Sequence, residues 1–179
     1  CVFGSGIGGM EVFERESIVL HEKGAKRVSP LFIPTMISNM AAGNLAIRYG
    51  LKGDCLNIVT ACSTGTHCVG EAYRLIRFGL ADAALAGGTE EGITNMSLAG
   101  FGNLGAITKS DDPMKAGLPF DARRSGFVAG EGAGALVLES LEHAQARGAN
   151  IIAEITGFGS TGDAYHMTAP RNANTPSGS

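Results

Sequence analysis

Leu56-Asn57-Ile58-Val59-Thr60-Ala61-Cys62-Ser63-Thr64-Gly65-Thr66 decides how the chain is read. An apolar, β-branched run stops at a cysteine, and small hydroxyl-bearing residues and a glycine follow it. Beyond them Cys68, Val69, Ala72, Leu75 and Ile76 recur at spacings of three and four, the period of one helix face. Gly79 then stands where a helix ends in a left-handed residue. The reading is strand, tight turn and helix, with Cys62 at the turn. A thiol placed there lies near unpaired backbone N–H groups and the positive end of the helix dipole, and both favour the thiolate. Free cysteine titrates at about 8.5, and such sites lower it by roughly one to several units. The same N–H groups suit an oxyanion formed when a thiolate attacks a carbonyl. A buried structural cysteine is the competing reading, and this stretch alone does not separate the two.

The rest of the composition narrows the field. The chain has 179 residues, enough for one real core, and 44% hydrophobic with 17% charged residues is a globular balance. A net charge of −3 gives no basic face for nucleic acid. No apolar run reaches the ~18 residues of a membrane span. The 27 glycines are about twice the ordinary share of roughly 7%, which implies close backbone packing and many tight turns. Cys1, Cys55, Cys62 and Cys68 form neither a zinc spacing nor a disulfide framework, so a reducing cytoplasm is the expected compartment. The opening Cys-Val-Phe-Gly reads as the end of a strand, and residues 171–179 as a polar tail without core formers. A segment of a longer protein is expected.

Taken in order, Gly4-Ser5-Gly6-Ile7-Gly8-Gly9 matches G-x-G-x-x-G, which alone is a weak sign of a dinucleotide site. Glu22 sits where a ribose-binding acid would be wanted. Met10 to His21, however, is mixed and charged and shows no clean crossover helix, so nicotinamide or flavin binding is the lesser reading. Ser29-Pro30-Leu31-Phe32-Ile33-Pro34 reads as a rigid, non-helical loop. A helix is expected from Thr35, its N-cap, to Gly50. Ala81–Ala86 reads as a buried strand, 95–105 as a glycine-rich packing or cavity-wrapping segment, and 111–118 as a polar loop. Ala135–Glu139 and Ile151–Phe158 read as further strands, with a short helix from Leu141 to Arg147 between them. Apolar strands alternating with helices argue for an α/β fold whose sheet is covered on both faces. Among the histidines, His67 is expected to pack, His143 to be solvated, and His21 to lack a partner. His166, after a strand end, is expected near a site. None is assignable as a base for Cys62.

At this point the motifs carry a resemblance. Thr60-Ala61-Cys62-Ser63-Thr64-Gly65 resembles the nucleophile motif of the β-ketoacyl-[acyl-carrier-protein] synthases, condensing enzymes of the thiolase superfamily. Residues 119–134, Pro-Phe-Asp-Ala-Arg-Arg-Ser-Gly-Phe-Val-Ala-Gly-Glu-Gly-Ala-Gly, look like a second signature. The glycine loop, the Ser29–Pro34 stretch, Ala86-Gly87-Gly88-Thr89-Glu90 and Asp163-Ala164-Tyr165-His166-Met167-Thr168 fall in the family's order up to about Pro170. The last of these looks most like the synthase II type.

The resemblance implies a thiolase-like layered fold, α-β-α-β-α when complete. Residues 1–150 would supply most of the N-terminal half and 151–179 the start of the C-terminal half. It implies that Cys62 accepts an acyl chain as a thioester, with its backbone N–H in the oxyanion hole, and that malonyl carrier protein then condenses with loss of CO2. Ile7, Phe101 and Phe32 would line or reach the acyl pocket, and Lys26 and Arg27 would meet the acidic carrier protein. His166 and Thr168 would lie near the site without an assigned role. The partners implied are acyl- and malonyl-loaded carrier protein and a second copy in a homodimer, with no nucleic acid and no membrane. No metal and no resident cofactor is implied, since phosphopantetheine arrives on the carrier protein. The family's two catalytic histidines, in H-G-T-type and G-H-x-x-G-A-type strings, do not occur in this sequence, so the segment alone is expected to be inactive. A ketosynthase domain of a polyketide or modular synthase is the nearest alternative. An inert chain-length-factor-like relative is disfavoured by the cysteine itself.

Overall fold

The computed structural model describes residues 1–169; the polar tail expected at 171–179 lies outside the described residues. Three strands form one sheet in the order β1 (Val2–Gly4), β2 (Ala83–Glu90), β3 (Gly132–Glu139). β1 runs parallel to β2, with Val2 opposite Ala86 and Gly4 opposite Gly88. β2 runs antiparallel to β3, from Ala83 opposite Glu139 to Glu90 opposite Gly132. A parallel pair needs a long crossover, and here it carries α1 (Met10–Lys23), α2 (Phe32–Met36), α3 (Met40–Tyr49) and α4 (Thr64–Arg77). α5 (Asn95–Asn103) and α6 (Pro113–Ala116) lie between β2 and β3, and α7 (Leu141–Ala146) follows β3.

The core sits where α4 crosses the sheet. Cys68, Ala72 and Leu75 of α4 pack on Val2, Ala84, Ala86 and Leu138. The expected helical face is therefore the buried one, and its small residues let the backbones come close. A Cβ placed on Gly88 of β2 would lie 3.0 Å from the Cα of Gly65 on α4. The helix ends as expected: Gly79 has φ +71°, its N–H bonds Ile76 O, and the Leu80 N–H returns to Leu75 O.

Several expectations change. The Leu56–Thr60 run is not a strand. It meets β1 at one bridge, Val2 with Leu56, and then leaves for the turn before α4. β-branched residues favour a strand only where a neighbour continues the ladder. Met10–Lys23 is a helix of 14 residues, although its pattern looked too mixed for one, because all but Glu16 of its side chains lie at or near the surface. Phe32–Met36 is helical in spite of Pro34, whose missing N–H falls in a first turn that has no intrahelical acceptor anyway. Thr35 lies inside that helix, its hydroxyl donating to Leu31 O at 2.7 Å, and the second helix starts afresh at Met40. The glycine-rich 95–103 segment is also helical, capped by the Thr94 hydroxyl, which accepts the Ser97 N–H. α6 occupies part of the expected 111–118 loop.

The sheet is not covered on both faces among the described residues. α4 covers one face, while Val137 on the other is 67% exposed. Residues 151–158 form no strand and pair with none among the described residues, and Ile152 is 93% exposed. This stretch lies along α4 instead: Phe158 packs on Gly70, and the Tyr73 hydroxyl reaches Thr156 O at 3.4 Å. The Leu141–Arg147 helix forms and stops at Gly148 as read, with Ser140 as its N-cap. His143 is not free in solvent. With Arg147 it holds the Glu139 carboxylate at the end of β3, and Arg147 chiefly pulls the Glu139 pKa down to about 2.

Candidate functional site

β1 ends at Gly4, and the chain turns through Ser5–Gly9 into α1. Beside it the 57–60 run ends in a single 3-10 turn, Ala61–Ser63, which feeds α4. Ala61 has φ +51°, a region an alanine enters at a cost and which tightens the turn. The Thr64 hydroxyl accepts the Thr60 N–H at 2.9 Å and closes the turn from the helix side. Cys62 is thereby set at the mouth of α4, exposed, with no hydrogen bond to its Sγ among the described residues.

Cys62 opens on a cavity of about 930 Å³. Its walls come from distant parts of the sequence: Ile7 from the glycine loop, Val69 from α4, Leu98 and Phe101 from α5, Phe127, and Leu136 from β3. Phe101 and Phe127 meet edge to face with centroids 5.3 Å apart. The lining is mainly apolar, with glycines and alanines of β2 and β3 forming the floor. A thiol at a helix N-terminus, facing a long apolar hollow, suits an acyl group carried on sulfur.

Glu90 is the residue that sequence reasoning passed over. It closes β2, and its carboxylate accepts the Ser5 hydroxyl at 2.8 Å, the Gly6 N–H at 2.8 Å and the Ile7 N–H at 3.3 Å. The glycine loop's outward N–H groups are therefore already bonded to an anion of the chain itself. A dinucleotide pyrophosphate would need those same groups, so the nicotinamide or flavin reading of the loop loses its physical basis. The only sign in the sequence was a glutamate at a strand end, which has no meaning until β1 and β2 are paired.

The other expected site residues are distributed unevenly. Ile7 and Phe101 line the Cys62 cavity, whereas Phe32 sits half-buried on α2 and is not among its walls. Lys26 and Arg27 stand side by side and exposed on the 3-10 turn after α1. His67 is not bonded to Cys62. Its Nδ1 pairs with the Thr60 hydroxyl at 2.7 Å, its Nε2 with the Ser160 hydroxyl at 2.7 Å, and its ring meets Phe158 edge-on. It packs, as read, and joins the nucleophile turn to residues 158–160. His166 is outside the cavity walls, its Nδ1 accepting the Thr168 and Ala169 N–H groups at 3.1 Å each. Thr168 is exposed beside it. Among the described residues no cluster of three metal-ligating side chains is present. Nor is any helix of the described residues long and apolar enough to cross a membrane.

Three comparisons with known proteins bear on the family and the fold. The family profile of the β-ketoacyl synthase N-terminal domain matches residues 1–144. The 3-oxoacyl-[acyl-carrier-protein] synthase 2 of Vibrio cholerae is 55% identical over 168 residues, which cover 93% of this chain and 41% of the relative. That of Staphylococcus aureus is 56% identical over 167 residues, again 93% and 41%. The chain thus spans about two fifths of the length of these relatives. Among solved structures, a β-ketoacyl synthase from Burkholderia phymatum superposes with a TM-score of 0.82 at 39% identity, covering 93% of this chain and 41% of that one. A type II polyketide synthase ketosynthase, solved with its acyl-carrier protein and a bound hexaketide, gives 0.84 at 35% identity, covering 93% and 44%. The fold is the thiolase-like one of these ketosynthases.

Proposed function

Because the chain belongs to the β-ketoacyl synthase family, we propose that it is the nucleophile-bearing segment of a 3-oxoacyl-[acyl-carrier-protein] synthase that lengthens fatty acyl chains. The observation that carries this reading is the opening of Cys62, at the mouth of α4, onto the apolar cavity. The Cys62 thiolate attacks the acyl thioester of the carrier protein, a new C–S bond forms, and the pantetheine thiol leaves. The Cys62 N–H and the first N–H groups of α4 stabilise the oxyanion. The acyl chain then lies against Ile7, Leu98, Phe101 and Phe127. In the second half-reaction malonyl carrier protein loses CO2, and its carbanion attacks the acyl carbon and expels the Cys62 thiolate. The histidines that this step uses in the family lie in strings absent from this sequence, so the 179 residues alone are expected not to turn over.

Lys26 and Arg27 form the exposed basic pair proposed to meet the acidic carrier protein, where surface charge serves mainly to steer encounter. The longer protein is proposed to act as a cytoplasmic homodimer, without metal or redox cofactor. Incubation with acyl carrier protein loaded with a radiolabelled acyl group tests the central step. Label should move to the peptide containing Cys62 and vanish in Cys62→Ala. Transfer that persists in Cys62→Ala would remove the nucleophile assignment.

A further inference from the structure

Ile7, one wall of the cavity, is mounted on a loop held by Glu90, which itself borders the cavity and has no part in the chemistry above. We infer that Glu90 is a positioning residue whose carboxylate fixes the Ser5–Gly8 loop, sets Ile7 against Cys62, and thereby sets the acyl-length preference of the pocket. The inference rests on the reading of this cavity as an acyl pocket.

The argument starts from the sheet. Gly4 pairs with Gly88, so Glu90 projects from β2 just beyond the point where β1 has ended and its loop begins. Oε1 takes the Ser5 hydroxyl and the Ile7 N–H, and Oε2 takes the Gly6 N–H. Ser5 Oγ, almost wholly buried, passes the constraint on by accepting the Gly8 N–H at 2.8 Å. One carboxylate therefore fixes, directly or through one hydroxyl, four consecutive residues of a loop rich in glycine. Such a backbone has little stiffness of its own.

The loop also touches the nucleophile turn. A Cβ on Gly6 would lie 2.9 Å from Glu90 Oε2 and 3.3 Å from Ala61 O. Gly6 is thus wedged between the carboxylate and the residue that precedes Cys62. Ile7, the next residue, has its N–H on Glu90 and its side chain on the cavity, where it is 38% exposed. Hydrogen bonds to a charged acceptor are the stronger kind, and three of them converge here. Without Glu90 the loop keeps bonds at its two ends, from the Ser5 N–H to Asn57 Oδ1, from the Gly8 N–H to Ser5 Oγ and from the Met10 N–H to Gly8 O, but the Gly6 and Ile7 N–H groups between them lose their acceptor.

The experiment uses the full chain and two probes, iodoacetamide and N-dodecyl iodoacetamide, with alkylation followed by mass spectrometry. Exposed Cys55, outside the cavity, is the internal reference. The wild type should favour the long probe at Cys62 over Cys55. Its absence would overturn the acyl-pocket reading itself, not the Glu90 assignment alone. In Glu90→Ala the long-to-short ratio at Cys62 should fall about tenfold, with exchange at the Gly6 and Ile7 amides rising about tenfold or more while α4 stays protected. A wild-type preference that survives intact in a folded Glu90→Ala overturns the proposal. Should that variant not fold, Ser5→Ala removes the link to Gly8, and the ratio must fall there too; an unchanged ratio overturns the proposal equally.

Discussion

Two thiols six residues apart have opposite surroundings. Cys62 lies exposed in the turn before α4 and opens on the cavity, whereas Cys68, less than two turns along the same helix, is 0% exposed in the core. Cys68 Sγ donates to Ile58 O at 3.7 Å, and burial raises its pKa above that of a free thiol. The residue type is the same, and one lies in the turn that feeds the helix carrying the other. Only position relative to the helix end and the sheet differs, and it leaves one thiol open to solvent and cavity and packs the other in the core.

The contrast can be broken in several ways. The largest expected effect is chemical: iodoacetamide should modify Cys62 faster than Cys68 by about a hundredfold or more, because a core thiol reacts only when the core opens. Equal rates, read by peptide mass spectrometry, would erase the distinction. Next, Gly4→Ala should cost about 1–3 kcal/mol in chemical denaturation through overpacking. Its new methyl would lie 2.8 Å from Ile58 O and 2.9 Å from Cys68 Sγ, and would also press on the Thr64 methyl. An unchanged midpoint would mean that α4 does not sit so tightly on β1.

Cys68→Ala should cost about 1–2 kcal/mol as a small core truncation, whereas Cys62→Ala should stay within about 0.5 kcal/mol. The smallest effect is in pH. The folded Cys68 thiol has the raised pKa, so its neutral form is the one that folding favours. Its contribution is fully present below the unfolded value and is lost as pH rises through that value toward the folded one. Stability measured from pH 8 to 11 should therefore fall more in the wild type than in Cys68→Ala. Parallel curves would show that the buried thiol does not titrate with unfolding.

α4 was legible in the sequence because its signals are local: apolar residues at three and four, and a glycine at the stop. The turn at Cys62 was legible for the same reason. α1 was not, since a helix lying on the surface needs no apolar stripe of ordinary width. Its one buried side chain is Glu16, whose carboxylate accepts the Ser29 N–H at 2.8 Å. The missed strands at 56–60 and 151–158 have strand composition, but composition does not supply the second strand. The cavity itself was half legible. Ile7 and Phe101 came through the family resemblance, while Leu98, Phe127, Leu136 and the Glu90 anchor follow only from tertiary placement.

The parallel pairing of β1 with β2 also has a consequence for how the protein comes into being. Apart from the one bridge of Val2 to Leu56, residues 2–4 find their strand partners at 86–88, and the cavity takes its last named wall from Leu136 of β3. A chain emerging from the ribosome at about 5–20 residues per second holds β1 without β2 beside it for several seconds. During that interval Cys62 has left the exit tunnel, but neither Glu90 nor β3 is present to build the hollow around it. The thiol is synthesised well before its pocket, so any chaperone or oxidant acting on the nascent chain meets it bare.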